Sequence, residues 1–329
     1  MIRLAAVTLL TALSQSTVSM APQAGAVAGG KGTGGFGIRL AEAPVARRHD
    51  PRARTGIVDH LAPGTTIKRR VELSSTFRKA LHVQLYAAAA TIAHHRFTIT
   101  PDRTPNELTT WTSLDQPAVT LSAFGKKTAR VTIRVPATAS QGERYGVIWA
   151  QVTARPDAKH NVGVTNRVGI PIYLDIGPGG EPPSDLRIEK LTPARAEDGR
   201  PRLVAQVHNT GGRALDVSGT LWLSDGPGGL RAGPYAATLG VTLPPGDTAP
   251  VMVVLDRRMP NGPWKARLTL RSGMVSRTVS ATVSFPDKGT GTAIALTSNS
   301  AYTVPALAGL VIVVGGVPLF LLRRRSRTR

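Results

Sequence analysis

Alternation at every second residue is the feature that most limits what this chain can become. In "KTARVTIRVP", Ala129, Val131, Ile133 and Val135 fall on one side, with Thr128, Arg130, Thr132 and Arg134 on the other. "VTNRVGIPIYLDI" gathers Val164, Val168, Ile170, Ile172, Leu174 and Ile176 against Arg167 and Tyr173. The same period sets Trp264, Ala266, Leu268 and Leu270 opposite Lys265, Arg267 and Thr269. It also sets Val279, Ala281, Val283 and Phe285 opposite a row of serines and threonines. A side-chain period of two is that of a β-strand, and one apolar side opposed to one wet side is what antiparallel sheets packed face to face require. Between the two hydrophobic ends no helical period is sustained. The run Ala87–Ala90 invites a helix, yet "HVQLYAAAATI" reads better as a strand with Leu81, Val83, Leu85, Ala87 and Ala89 inward. "VHNTGGRALDVSGTLWL" (Val207–Leu223) fits a strand, a turn and a second strand of an immunoglobulin-like domain. The fold expected is all-β: two immunoglobulin-like β-sandwich domains plus one C-terminal transmembrane helix.

Punctuation divides the chain. "MIRLAAVTLLTALS" places Arg3 before an apolar stretch too short to span a bilayer, and small residues follow, the layout of a secretory signal peptide over residues 1–26. Residues 27–35, rich in glycine, read as disordered. A first sandwich is expected over 36–176 and a second over 185–286, each near the usual domain size. "GPGGEPPS" (Gly177–Ser184) reads as a linker, and 287–303 as a flexible stalk. The uncharged run Val304–Leu322 has the length of a membrane-crossing helix, and Arg323, Arg324, Arg325, Arg327 and Arg329 behind it belong to a cytoplasmic basic tail, 323–329. A single-pass type I protein of the cell membrane follows as an expectation, with its domains extracellular. "LAPGTTIKRRVEL" and "LPPGDTAPVMVVL" echo one another through a Pro-Gly turn that launches a strand, which suggests two related modules.

Composition narrows the chemistry. The chain has 41 Lys and Arg against 20 Asp and Glu, a net charge of +21, and no cysteine. An exported chain without cysteine has neither disulfides nor thiolate chemistry and must be held by packed cores. The excess of positive charge is denser before residue 177 than after it. On the outer side of a membrane it would meet acidic wall polymers or lipid head groups, not nucleic acid; the codon bias of a GC-rich genome towards arginine accounts for the same excess without a ligand. His94-His95 is the one histidine pair, and neighbours on a strand point to opposite faces, so no metal site is expected. No nucleophile motif and no phosphate-binding glycine loop is present, so neither an enzyme nor a cofactor is expected.

Two binding candidates remain. Lys68, Arg70, Arg130, Arg134 and Arg167 stand outward on strands of the first segment, where on adjacent strands they would form a stripe able to meet phosphodiester or carboxylate groups. The alternative is a solvated face with edge-protecting charges. In "RYGVIWAQV", Tyr145, Val147 and Trp149 share one face and Ile148, Ala150 and Val152 the other. Apolar residues on both faces suit a strand covered on both sides, or one with a core side and a sugar-stacking side.

By the stretches "LAPGTTIKRRVELSS", "HVQLYAAAATI", "HHRFTITP", "AVTLSAFGKKTARVTIRVPATASQGERYGVIWAQV" and "NRVGIPIYLDIG", together with Trp111, the first segment resembles the peptidoglycan-binding domain of the WxL-interacting proteins in their actinobacterial cell-surface form. The family's turn Asn is lacking at Leu73-Ser74-Ser75-Thr76. The resemblance implies non-catalytic binding of peptidoglycan or an attached anionic wall polymer by the first domain. The other reading is a surface scaffold or adhesin that binds another protein through its immunoglobulin-like domains.

Overall fold

In the computed structural model the described residues are 34–101, 103–154, 163–237 and 240–296. The expected signal peptide, transmembrane run and basic tail lie outside them, as does nearly all of 27–35. Among the described residues no helix is long and apolar enough to cross a membrane.

The first sandwich is built from β1 (Phe36–Leu40), β2 (Ile57–Leu61), β3 (Thr66–Ser75), β4 (Leu81–Ala93), β5 (Arg96–Ile99), β6 (Thr112–Leu114), β7 (Ala118–Leu121), β8 (Lys126–Arg134), β9 (Gly142–Ala154) and β10 (Val164–Ile176). Two short helices, α1 (Arg52–Thr55) and α2 (Glu107–Trp111), interrupt the loops. One sheet has the order β1-β3-β8-β6; the other runs β2-β10-β9-β4-β5, with β7 also on β4. The chain therefore changes sheets between β1, antiparallel to β3, and β2, parallel to β10. Alternation explains the core: Val71 and Leu73 of β3 and Ala129, Val131 and Ile133 of β8 meet Ile148 and Ala150 of β9 and Ile170, Ile172 and Leu174 of β10, all buried. Asn106 caps α2, its side chain accepting from Thr109 N, which drops Leu108 into that core.

The second sandwich contains β11 (Leu186–Arg195), β12 (Pro201–Asn209), β13 (Leu215–Ser224), β14 (Ala232–Ala236), β15 (Val241–Leu243), β16 (Thr248–Val254), β17 (Gly262–Ser272), β18 (Val275–Phe285), β19 (Gly289–Thr290) and β20 (Ile294–Ala295). Its sheets are β16-β12-β11, edged by β19 and β20, and β14-β13-β17-β18, with β15 on β13. Trp264 fills its centre and donates from Nε1 to Pro260 O at 3.2 Å. Buried Asn209 ties a corner: its amide donates to the carbonyls of Arg213, Leu243 and Pro244.

Four expectations change. The segment from residue 287 is not a loose stalk as far as Leu296: β19 and β20 pair with β11, and Ile294 and Leu296 pack against the core. An otherwise bare sheet edge is thereby covered. The linker is pinned, because Glu181 is held by Arg47 and Arg213. His94 and His95 are not strand neighbours but the turn between β4 and β5, both at positive φ (50° and 56°). Finally, the two Pro-Gly turns launch different strands. The first leads into β3, flanked by β1 and β8; the second leads into β16, which among the described residues pairs only with β12 apart from a bridge at Val253. The echo is a shared turn chemistry, with glycine at positive φ in each (82° and 74°), and not a shared place in the fold.

Candidate functional site: the outer face of the β10 sheet and the junction

The cation stripe divides between two sheets. Lys68, Arg70, Arg130 and Arg134 stand on the outward side of β3 and β8, Arg70 directly opposite Arg130 and Lys68 opposite Thr132. Arg167 is on the other sheet, so the five do not form one surface. Carboxylates share the β3–β8 face. Glu42 pairs with Arg70 at 2.8 Å, and that hydrogen bond and charge hold the Glu42 carboxyl below its usual range. Glu72 pairs with Arg39 and Lys126. Arg134 reaches Ser113 Oγ at 3.4 Å. The face carries both signs, as solvated surfaces and guarded edges do.

The outward side of the β10 sheet is different, because it is apolar. Trp149 is only 3% exposed although it points away from the core. In register it lies between Tyr86 of β4 and Gly169 of β10. Gly169 is required there: a Cβ would come within 2.7 Å of the indole, so only glycine lets the ring lie flat over β10. Two cations close the layer. The Arg167 guanidinium stands 5.0 Å from the Trp149 ring, and that of Arg103 stands 3.9 Å from the Tyr86 ring while donating to Gln84. Tyr86 donates to Gln151 Oε1 at 2.8 Å. Trp149 Nε1 is buried with no acceptor among the described residues, and an unmet donor ordinarily costs about 1–3 kcal/mol.

Lower on the same face, Tyr145 belongs to the contact between the sandwiches. Its ring packs edge-on to Tyr173 (5.8 Å) and Phe97 (6.4 Å), in a cluster with Val58, Ile92 and, from the second sandwich, Ala214. Around it lies a charged lock that sequence reasoning missed. Arg213, 1% exposed, donates to Glu143 and Glu181 and to Asp59 O. Glu143 also accepts from Ala214 N at 2.7 Å and from the Tyr145 hydroxyl. Asp216 accepts from Tyr173 (3.0 Å) and Thr242 (2.7 Å), and His95 O accepts from Thr242 N. Burial pushes the Asp216 carboxyl up, as it does Asp59 in spite of Arg69 beside it. Burial would raise Glu181 too, but the Arg47 hydrogen bond and the nearby guanidinium groups bring it below its usual value. Burial and the adjacent carboxylates push both tyrosine hydroxyls far up, so they act only as neutral donors. The sequence signal was available only in part: the apolar residues on both faces of β9 indicated a covered strand, but nothing in the chain order marks Arg213 as the partner of Glu143.

The closest dyad, His60 Nδ1 to Asp175 Oδ2 at 2.6 Å, has its other ring nitrogen against Gly179 O at 3.2 Å, so neither nitrogen is left for a substrate. Among the described residues no group of three metal-ligating side chains converges.

What the geometry leaves open is backbone. β10 pairs with β9 over its whole length, but β2 covers its other side only from Ile172 to Ile176. From Val164 to Pro171 that side carries no strand among the described residues. Val164 is 50% exposed.

No family model matches the chain, and no curated protein does. Among solved structures it is similar to the E. coli chaperone DraB (14% identity, TM-score 0.39, 75% of this chain and 98% of that chain). A chain of the Salmonella enterica SafA pilin–SafB chaperone complex is similar as well (14%, 0.40, 75% and 97%), as is the Pseudomonas aeruginosa CupB2 chaperone (12%, 0.37, 70% and 98%). These likenesses are distant and leave open what this chain binds. The resemblance drawn from the sequence is corrected here: no family model matches, and the neighbours are named as chaperones, one of them in complex with a pilin, and not as WxL-interacting, peptidoglycan-binding proteins. Pro-Gly turns and alternating strands are common to sandwiches of many families, which is why they misled. The expectation that the first domain engages peptidoglycan or an anionic wall polymer falls with the resemblance.

Proposed function

We propose that the protein is a non-catalytic binding module whose partner is another protein, engaged along the free half of β10. The observation that carries this reading is the half-paired strand: an edge from Val164 to Ile170 can accept an extended segment as an added strand, the mode in which main-chain hydrogen bonds give affinity and side-chain pockets give specificity. The shelf beside it suits such a guest. Trp149, packed over Gly169 and covered by the Arg167 guanidinium, makes a firm floor next to the edge. The junction supports the same role, because it fixes the sandwich against its neighbour and so presents the edge from a rigid body. The hydrophobic ends of the sequence favour a place on the outer side of a membrane, anchored through Val304–Leu322, with another surface protein as the partner.

A photoreactive residue at Val164, introduced in cells that make the full chain, tests this. One discrete cross-linked polypeptide is expected from Val164 and none from a still more exposed control position, Phe124. No adduct at Val164, or the same adducts at both positions, overturns the reading.

A further inference from the structure

The second sandwich carries a surface that the β10 site does not use. On the outward side of β13, β17 and β18 lies an open trough of about 830 Å³, lined by Trp222, Arg231, Lys265, Arg267, Thr278 and Ser280. Trp222 is 52% exposed, unlike the covered Trp149. Register fixes the pattern. Trp222 is opposite Arg267, and Ser224 is opposite Lys265. On the other flank of β17 each cation faces a short hydroxyl residue of β18: Arg271 faces Ser276, Arg267 faces Ser280, and Lys265 faces Thr282. From Ser218 to Ser224 on β13, and along the outward positions of β17 and β18, there is no carboxylate. The side chains of Arg231, Lys265 and Arg267 make no hydrogen bond or ion pair with the described residues.

β18 is also an end strand. It pairs with β17 over its full length without a bulge, and its other side carries no strand among the described residues. Natural edges are normally guarded by lysine, proline or a bulge. On β18 the guards stand at its two ends, where Arg277 pairs with Asp185 and Gly291 comes up against Ser284 O, and from Thr278 to Val283 there is none of these. A strongly strand-forming edge guarded only at its ends, beside cations whose side chains are unpaired among the described residues, points to a partner that covers its middle.

We propose that this edge and face bind an acidic, extended polypeptide segment, added to β18 as a strand with carboxylates at alternate positions. Neighbouring strands are about 4.8 Å apart, so a strand added to β18 lies about 10 Å from β17. A Glu side chain on one strand and a Lys or Arg on the other close that gap over the short hydroxyls between them. Trp222 flanks the cations on their far side, on β13. A second copy of this chain is the less favoured occupant: β18 paired with itself would set two Lys265/Arg267 rows about 14 Å apart, with no opposite charge between them.

The test is fluorescence anisotropy of a labelled peptide of alternating Glu and Val, titrated with the full chain at about 0.15 M salt, where charges are screened over about 8 Å. Saturable binding is expected, weakened at least tenfold by Lys265→Glu/Arg267→Glu and to a lesser degree by the milder Arg267→Gln. All these side chains are exposed, so the variants should keep the wild-type circular dichroism. A backbone N-methylated form of the peptide, equal in charge, should bind at least tenfold more weakly. Binding that survives the charge reversal, or that ignores N-methylation, overturns the proposal. So does a β18-mediated dimer in sedimentation, or tighter and equally variant-sensitive binding to phosphatidylglycerol vesicles, which would assign the face to a membrane. Cross-linking from Val164 should be unchanged in Lys265→Glu/Arg267→Glu, so the two sites fail or stand separately.

Discussion

Trp149 and Trp222 hold comparable positions and lead opposite lives. Each stands on the outward side of a strand inside a sheet, Trp149 between β4 and β10 and Trp222 between β14 and β17. One is 3% exposed and the other 52%. The strands do not make the difference; what lies over them does. The first sandwich covers its outward face with Tyr86, Arg103 and Arg167 and, lower down, with the second sandwich. The second leaves its own outward face bare. Burial of an aromatic in a sandwich is thus decided by partners far away in the chain, and a bare aromatic beside unpaired cations marks the face that still lacks one.

That contrast can be broken from the covered side first. Arg213→Ala removes the guanidinium between Glu143 and Glu181 and leaves buried carboxylate uncompensated, so a loss of about 4 kcal/mol is expected in urea unfolding. A loss under about 1 kcal/mol would mean that the junction does not hold the sandwiches together. Trp149→Ala comes next, with an expected loss of about 3 kcal/mol from the emptied layer between Tyr86 and Gly169. Asp216→Asn sharpens the comparison at the junction. Burial raises the Asp216 carboxyl, so the folded state holds its proton more tightly than the unfolded chain does. The group therefore favours folding at low pH, and that contribution is lost as pH rises through the raised value. The amide keeps an acceptor for Tyr173 and Thr242 and cannot ionise, so stability at pH 7 should rise and its fall above pH 4 should flatten. A variant less stable than the parent at pH 7 would show that Arg52 nearby outweighs burial. The smallest effect belongs to the bare side: Trp222→Ala should change stability by less than about 0.5 kcal/mol and remove the red-shifted part of the tryptophan emission.

Much of the sandwich architecture was legible because a period of two has one structural meaning. The inward assignments of Val131 and Ile133 on β8 and of Leu268 and Leu270 on β17 needed only the order of residues, and all four are buried. The apolar residues on both sides of β9 likewise signalled a strand covered twice. The junction was not legible, since Arg213 and Glu143 are 70 residues apart and look like surface charges. Residues 287–296 were misread because glycine and proline suggest looseness, while Ile294 and Leu296, which dock them, are only two apolar side chains. The cation stripe failed at Arg167, because strand parity tells which side of its own sheet a residue faces but not which sheet the strand joins.

The central claim is that β10 is a strand with one half open, and amide hydrogen exchange of the purified full-length protein tests it directly. Alternate amides from Val164 to Ile170, those turned away from β9, should exchange within seconds, while the corresponding amides from Ile172 to Ile176, held by β2, should be slow. Equal protection along both halves would show that the edge is already occupied, and would contradict the account.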